Sequence, residues 1–490
     1  MTQHTELTMI QSDLNRNLEH LRGLMGNSSD FVIRELTIHG PSPSPCHTAL
    51  CYLDGMIDKT ALLETVIPSL LDRSKIHPQD DTADLLAHIR HHVMGVGEIS
   101  SAASLKEALD SILSGGVLLL VEGSCTGLLL ALSGWKDRGI TESQTQSVIR
   151  GPQEAFTDTL RTNTTQVRRR VRHPGIRIIS KKIGTSTRTD VAVMYLEGSA
   201  DPDLVVQITN RLDQYPLDRV LESEYLEEWL LADKQKSVFP TIYNTDRPDT
   251  IAAGLLDGKI AIFVDGTPFV LLAPALFIEF IHSSEDYYQS NIYSNVIRVL
   301  RYISLLVCLL APSVYIALTT YHQDMLPTQL LLSLAAQREG IPFPAFVEAL
   351  LMEVTFEILR EAGLRMPRTI GQAVSIVGTI VIGQAAVEAN IVSAVMVIIV
   401  SITAISSFVI PSYTMSIALR LLRFGFMGLS ATFGAYGITI GLFILILHLC
   451  SLESVGVPYL SPLAPYSKSK QKDALLRFPH WAFRSRRPKV

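Results

Sequence analysis

Seven ionisable side chains, Glu348, Glu353, Glu357, Arg360, Glu361, Arg365 and Arg368, precede a segment at 369–389 that is almost wholly apolar and small. Residues three or four apart lie on one face of a helix, so Glu353 with Glu357, and Glu357 with Arg360 and Glu361, can interact along it. Such a set handles ions rather than bonds: it can form a charged vestibule or a coupling element, with Glu388 at the other end of the apolar segment as a second mouth that favours cations or as the cap of a tight turn. Motifs of covalent or phosphate chemistry are missing, with no P-loop, no Gly-x-Gly-x-x-Gly, no His-Glu-x-x-His and no Gly-x-Ser-x-Gly. No enzyme activity and no cofactor are expected. His88, His91 and His92 fit a surface helix better than a metal site, and Cys46-x4-Cys51 lacks the second pair a zinc site needs.

The elements that carry these charges decide what they can do. For residues 343–362, nine large apolar side chains contribute roughly −4 kcal/mol to insertion, whereas Glu348, Glu353 and Glu357 would cost about 2.5 to 3.5 kcal/mol each against lipid. The segment is therefore expected to be interfacial, re-entrant, or a span whose acidic face meets protein or water. In the following helix, Gln372, Ser375, Thr379, Gly383 and Ala386 fall within about 80° of one another at 100° per residue, as one small and polar stripe. A close packing seam and a pore wall both fit that stripe.

Apolar runs at 298–319, 369–389, 391–411 and 427–450 approach the roughly 20 residues that cross a hydrocarbon core. Arg298 and Arg301 at the first run, and a tail after 456 with Lys468, Lys470, Lys472, Arg477, Arg484, Arg486, Arg487 and Lys489 against Asp473 alone, place both flanks on the cytoplasmic side. Four spans satisfy that parity but leave Arg360, Arg365 and Arg368 on the far side unless their segment re-enters. The amino terminus has no basic and apolar leader, which is expected to keep the leading region cytosolic. The net charge of −5 over 490 residues excludes nucleic acid as a partner.

The first 290 residues predict a repeated α/β unit. "HTALCYLDGMIDKTALLETVI" (47–67) is similar to "DVAVMYLEGSADPDLVVQI" (190–208), and "SLKEALDSILSGGVLLLVEGSCTGLLLAL" (104–132) to "RPDTIAAGLLDGKIAIFVDGTPFVLLAP" (247–274). Tyr52 to Val121 and Tyr195 to Val264 are each 69 residues apart, a period of 143. Each copy reads strand, strand, helix, variable middle, helix, strand, strand. The acids Asp54, Glu122, Glu197 and Asp265, each before a glycine, suit tight turns better than a catalytic carboxylate set. Between the copies a helix carries Arg168, Arg169, Arg170 and Arg172, open to three readings: a solvated helix end, an intersubunit salt-bridge belt, or contact with anionic lipid.

The predicted architecture is an α/β soluble region of two repeated subdomains followed by an all-α transmembrane domain. Its expected parts are a helical segment at 1–30, subdomains at 31–133 and 173–290 joined by a linker at 134–172, membrane helices at 291–455 and a basic tail at 456–490.

"RGPQEAFTDTLRTNT", "VDGTPFVLLAPALFIEF", "EDYYQ", "PFPAFVEALLMEVTFEILREAGLRMPRTIGQAVSIVGTIVIGQAAVEANIVS" and "GVPYLSPLAP" together resemble the A subunit of GerA-type spore germination receptors, or its stage V sporulation paralogue, over roughly residues 10 to 488. The resemblance implies a protein of the inner membrane of the dormant endospore that works with a transporter-like B subunit and a lipoprotein C subunit. It also implies a homo-oligomeric, pentameric channel, with 369–389 as the pore helix, and it hands over no catalytic residues. "GSCTGL" (123–128) and Asn390 depart from the usual pattern. On physics alone the stripe stays open between seam and pore; the resemblance favours the pore.

Overall fold

The structure, a computed structural model, describes residues 9–38, 46–72, 86, 89–90, 98–134, 142–143, 145–231, 237–366, 383–466, 471–479 and 481. The chain forms two compact units. The first takes in Met1–Lys234 and Ile242–Pro274, and the second Gln235–Thr241 and Ala275–Ser485.

The first unit contains the same architecture twice. Strands β1 (Phe31–Ile38), β2 (Cys46–Leu53), β3 (Ile99–Ala102), β4 (Val117–Val121) and β5 (Gly127–Leu130) form an antiparallel sheet of order β1-β2-β4-β5-β3. Strands β6 (Ile176–Ile183), β7 (Thr189–Leu196), β8 (Tyr243–Thr245), β9 (Ile260–Val264) and β10 (Val270–Ala273) repeat it as β6-β7-β9-β10-β8. The edge strands β3 and β8 add to the pattern read from the sequence.

Alternation along the central strands divides the core of the first copy. Leu50, Tyr52, Val117, Leu119 and Val121 pack on Leu62, Val66, Ile67 and Leu70 of α2, whose Lys59–Ala61 start passes through a π turn, Leu62–Val66, into Ile67–Leu71. Their neighbours Ala49, Cys51, Leu53, Leu118 and Leu120 point the other way, onto α1 (Leu14–Met25) and α3 (Leu105–Leu113). Both faces of β4 are therefore buried, which is why "VLLLV" has no polar alternation.

Each copy begins at a helix. Glu122 accepts from Leu14 N at the start of α1 (2.9 Å), and Asp265 accepts from Leu160 N at the start of α4 (Leu160–Arg170; 3.0 Å). Asn17 closes a loop by bonding both backbone N and O of Gln11, and Asn163 does the same with Thr157. The expected terminal segment and linker are thus corresponding elements, and the copies open at α1 and α4 rather than at 31 and 173. The second copy continues through α5 (Pro202–Asp213), α6 (Glu224–Leu231) and α7 (Pro248–Leu256).

The second unit is helical: α8 (Asn291–Thr320), α9 (Thr328–Arg338), α10 (Ala345–Arg365), α11 (Gly383–Glu388), α12 (Ala394–Val409) and α13 (Tyr413–Ser451). Ser290, Ser393 and Ser412 cap α8, α12 and α13 by accepting from Tyr293, Met396 and Met415 N. α13 breaks at Gly434 (φ +61°), and the Tyr321 hydroxyl donates to the carbonyls of Ala431 (2.8 Å) and Thr432 (3.1 Å) beside the break.

Among the described residues, α8 and α13 are long and apolar enough to cross a membrane. α12 is shorter, at 16 residues, and the expected run 427–450 is the latter part of α13. Of the run 369–389, residues 369–382 lie outside the described residues, and 383–388 form α11. Segments at both ends of the helices close on one another: Ser454 Oγ accepts from Ala275 N (2.8 Å) and donates to Thr241 O (2.5 Å), while Tyr459 is buried against Phe277 and Phe280.

Candidate functional site: buried ion pairs of the helical unit

α10 begins after Pro344, which sets the extended residue before the first turn, and it runs 21 residues without a break. Glu353 and Glu357, four residues apart, lie on one side of the helix, whereas Glu348, five residues before Glu353, lies about 140° round from it. Glu348 and Glu353 are fully buried. What they face is protein.

Arg423 of α13, 1% exposed, pairs with Glu353 through Nη1, and its Nη2 lies 3.7 Å from Cys308 Sγ on α8. One turn away, Arg420 Nη1 stands 3.4 Å from Glu357 Oε2 and its Nε donates to Ser416 O (3.2 Å). Arg360 grips the same Glu357 oxygen through Nε (3.1 Å) and Nη2 (2.7 Å). Carboxylates four apart on α10 thus meet arginines three apart on α13, forming two rungs between the helices. A third contact lies nearer the start of α10: Arg338 of α9 sits 3.3 Å from Glu348, whose other oxygen accepts from Ser393 N at the head of α12 (3.0 Å). α13 therefore meets Glu353 and Glu357 on one side of α10, while α9 and the cap of α12 meet Glu348 on another.

The inner rung is incomplete, since Glu353 Oε1 and Arg423 Nε are buried without a hydrogen-bond partner. A buried pair stripped of one member leaves an uncompensated charge, which costs about 3–5 kcal/mol. Arg365 and Glu361 also pair (2.7 Å) but are mostly exposed, so that contact contributes little. Arg368 lies outside the described residues.

The stripe is only partly described. Gln372, Ser375 and Thr379 fall outside the described residues. Gly383 is buried, with Val397 of α12 placed 3.6 Å from where a Cβ would stand, and Ala386 packs against a core containing Val392 and Met396. Those two positions face their own chain, as a packing seam does. Glu388 is exposed and accepts from Gln384 Nε2 (2.8 Å).

In the α/β unit the arginine run divides by burial. Arg168 is 2% exposed and reaches back into the first copy, with Nε and Nη2 each 2.9 Å from an Asp30 oxygen and Nη2 2.9 Å from Ser28 Oγ. Ser28 Oγ in turn accepts from Ile178 N on edge strand β6 (3.1 Å). Arg168 joins the two copies within the chain and is unavailable as a surface contact. Arg170 pairs with Glu154 (2.7 Å), Arg169 is half-buried and Arg172 is exposed. The turn acids also have structural partners: Asp54 with Lys59 (2.6 Å) and Arg161, and Glu197 with Arg177. Burial pushes the Cys51 thiol up to about 12, an unreactive state. His88, His91 and His92 lie outside the described residues.

Arg338, Arg420 and Arg423, the partners of the α10 carboxylates, are not among the residues expected from the sequence. The available signal was two arginines three residues apart in the otherwise apolar 413–451, set against carboxylates four apart elsewhere.

A family model described as Bacillus/Clostridium GerA spore germination protein matches residues 19–490. The chain belongs to the GerA family. Relatives of this GerA chain include "Spore germination protein KA" of Bacillus subtilis (strain 168), 44% identical over 97% of this chain and 86% of that protein. Another is "Uncharacterized membrane protein YfkQ" of the same organism, 44% identical over 98% of this chain and 91% of that one. A crystal structure of the N-terminal domain of the A subunit of the Bacillus megaterium spore germinant receptor GerK3 is 36% identical, covers 55% of this chain and 98% of that chain, and aligns with a TM-score of 0.42. The GerA match starts within α1 and takes in the rest of both α/β copies and every rung residue of α10 and α13.

Proposed function

We propose that the chain is the A subunit of a nutrient-responsive germination receptor in the inner membrane of the endospore. It oligomerises, as a pentamer, into a ligand-gated channel that releases monovalent cations from the core. It works with a transporter-like B subunit and a lipoprotein C subunit, and its terminal regions face the core side. Family membership across residues 19–490 supports the receptor reading. The observation that carries the mechanism is the pair of rungs between α10 and α13: charges too costly for lipid are spent on fixing one helix against another.

A nutrient bound elsewhere in the complex can open the channel only by favouring one of two arrangements of these helices. The rungs are the contacts at which such arrangements would differ most in energy. Gln372, Ser375 and Thr379 are the pore-wall candidates, Glu388 and Glu361 with Arg365 the charged mouths, and Arg169 and Arg172 the candidates for subunit contact. A non-conducting scaffold is the second reading, favoured by the inward packing of Gly383 and Ala386.

Cysteines introduced singly at 372, 375 and 379 in the assembled receptor separate the two. As a pore wall they react with water-soluble thiol reagents at least tenfold faster with nutrient present, and the modified receptor stops passing potassium. Protection at all three positions in both states would establish the scaffold.

A further inference from the structure

A second buried charge cluster lies at the start of α8, away from the rungs. Arg298 is fully buried and Arg301 nearly so. Arg298 Nε donates to Asp286 Oδ2 (3.1 Å) and its Nη1 to Asp473 Oδ1 (2.9 Å), while Arg301 Nη1 donates to the same Asp286 oxygen (2.7 Å). Asp473 also accepts from the Tyr287 hydroxyl (2.7 Å). Arg477 is 3% exposed, and its Nη1 donates to the carbonyls of Asp286 and Gln289. Its backbone N and O both bond the Asn295 side chain (2.7 and 3.1 Å). The Tyr287 ring has the Arg298 and Arg477 guanidiniums each 5.5 Å from its centre.

Two guanidiniums here meet two carboxylates while a third, that of Arg477, rests on backbone carbonyls, and one of those carboxylates arrives on residues 471–479. Arg298 Nη2 already lacks a partner. Without Asp473 the ratio becomes two to one. Asp473 is also the single acid between residues 456 and 490.

The geometry points to residues 471–479 as a strap that positions α8, with Asp473 and Arg477 as its positioning residues. Docking of the strap fixes the rotation of α8 at Arg298. α8 packs along both α12 and α13, and it carries Cys308 against Arg423. The strap therefore holds the inner rung in place from one end of α8. This deepens the receptor reading and rests on it only for the effect on germination.

The test uses full-length chain solubilised from membranes, with two readouts independent of ion flux: tryptic cleavage after Arg477, and alkylation of Cys308 by N-ethylmaleimide, both located by mass spectrometry. In the native chain both sites are protected. Asp473→Asn is expected to speed both about tenfold, while Asp473→Glu stays within about twofold of native. Tyr287→Phe removes one bond to Asp473 and keeps its charge, so it should give a rise of about two- to threefold even if the asparagine variant fails to accumulate. Faster cutting at Arg477 with Cys308 still protected would show a tail that holds nothing. No change at either site in either variant would show that Asp473 does not dock the strap. Neither result depends on a nutrient response. If native spores release no cations, the receptor reading fails while the strap stands.

Discussion

Arg168 in the α/β unit and Arg423 in the helical unit are both hidden from solvent, and each is answered by a carboxylate far away in sequence, Asp30 and Glu353. Their company differs. Arg168 engages both Asp30 oxygens and Ser28, and the Asp30 side chain keeps 14% of its surface open, so that carboxylate stays partly hydrated. Glu353 is 1% exposed, with one oxygen unmet and apolar helices around it. Apolar burial drives the sheets together, and Arg168 only fastens two bodies that already have cores. In the membrane proposed for the helical unit that drive is weak, so a buried charge pair can decide which face meets which. The same guanidinium–carboxylate chemistry is a fastener in one unit and a register mark in the other.

The largest effect should come from Glu353→Ala, which leaves Arg423 buried and unpaired and lowers the thermal stability of the solubilised full-length chain by about 3–5 kcal/mol. Adding Arg423→Met should recover most of it, because removing both charges removes the desolvation cost as well; a double variant as unstable as the single would break the contrast. Arg168→Ala should cost less, about 2 kcal/mol, since Asp30 can turn to water. An equal loss at both sites would mean that hydration of the carboxylate does not matter.

The α/β unit should also respond to pH. Glu227 in α6 is buried, and burial first, then the charges of Glu224 and Glu222, push its carboxyl up to about 8. It stays protonated in the fold and ionises near 4.5 when unfolded, so its contribution is fully present below that value and declines as pH rises, being lost by about 8. Glu227→Gln should flatten that decline by at most about 1.4 kcal/mol per pH unit, measured by amide exchange of 224–231 in the full chain. The smallest effect belongs to Arg22, which holds in the first copy the place of Arg168 in the second. It lies 3.6 Å from Glu35 with both side chains more than half exposed. Arg22→Ala should change stability by less than about 0.5 kcal/mol.

Much of the fold is legible in the sequence because its signals are local. The Tyr-Leu-acid-Gly turns and the unbroken apolar runs of β4 and β9 mark equivalent points 143 residues apart. The opening helices are harder to match, since α1 and α4 correspond at 146 residues, as Leu14 with Leu160 and Asn17 with Asn163 show. Insertions between helix and second strand hide that relation. β3 and β8 are short and carry little periodicity, "ISSA" and "YNT", and edge pairing alone makes them strands. At the site, the charges of α10 and their incompatibility with lipid were evident, but their partners were not. Glu353 and Arg423 are 70 residues apart, and only packing shows that they meet. The stripe is ambiguous for a physical reason: small residues let helices approach as readily as they line water.

The central claim, that the rung between α10 and α13 sets the arrangement that releases cations, is tested most directly by charge exchange. Potassium release on addition of nutrient would be followed in spores carrying Glu353→Arg, Arg423→Glu, or both, at matched receptor levels. Each single change should lower the rate at least tenfold, and the exchange should bring it back to within a few-fold of native. Singles that respond normally, or an exchange as inactive as either single, would contradict it.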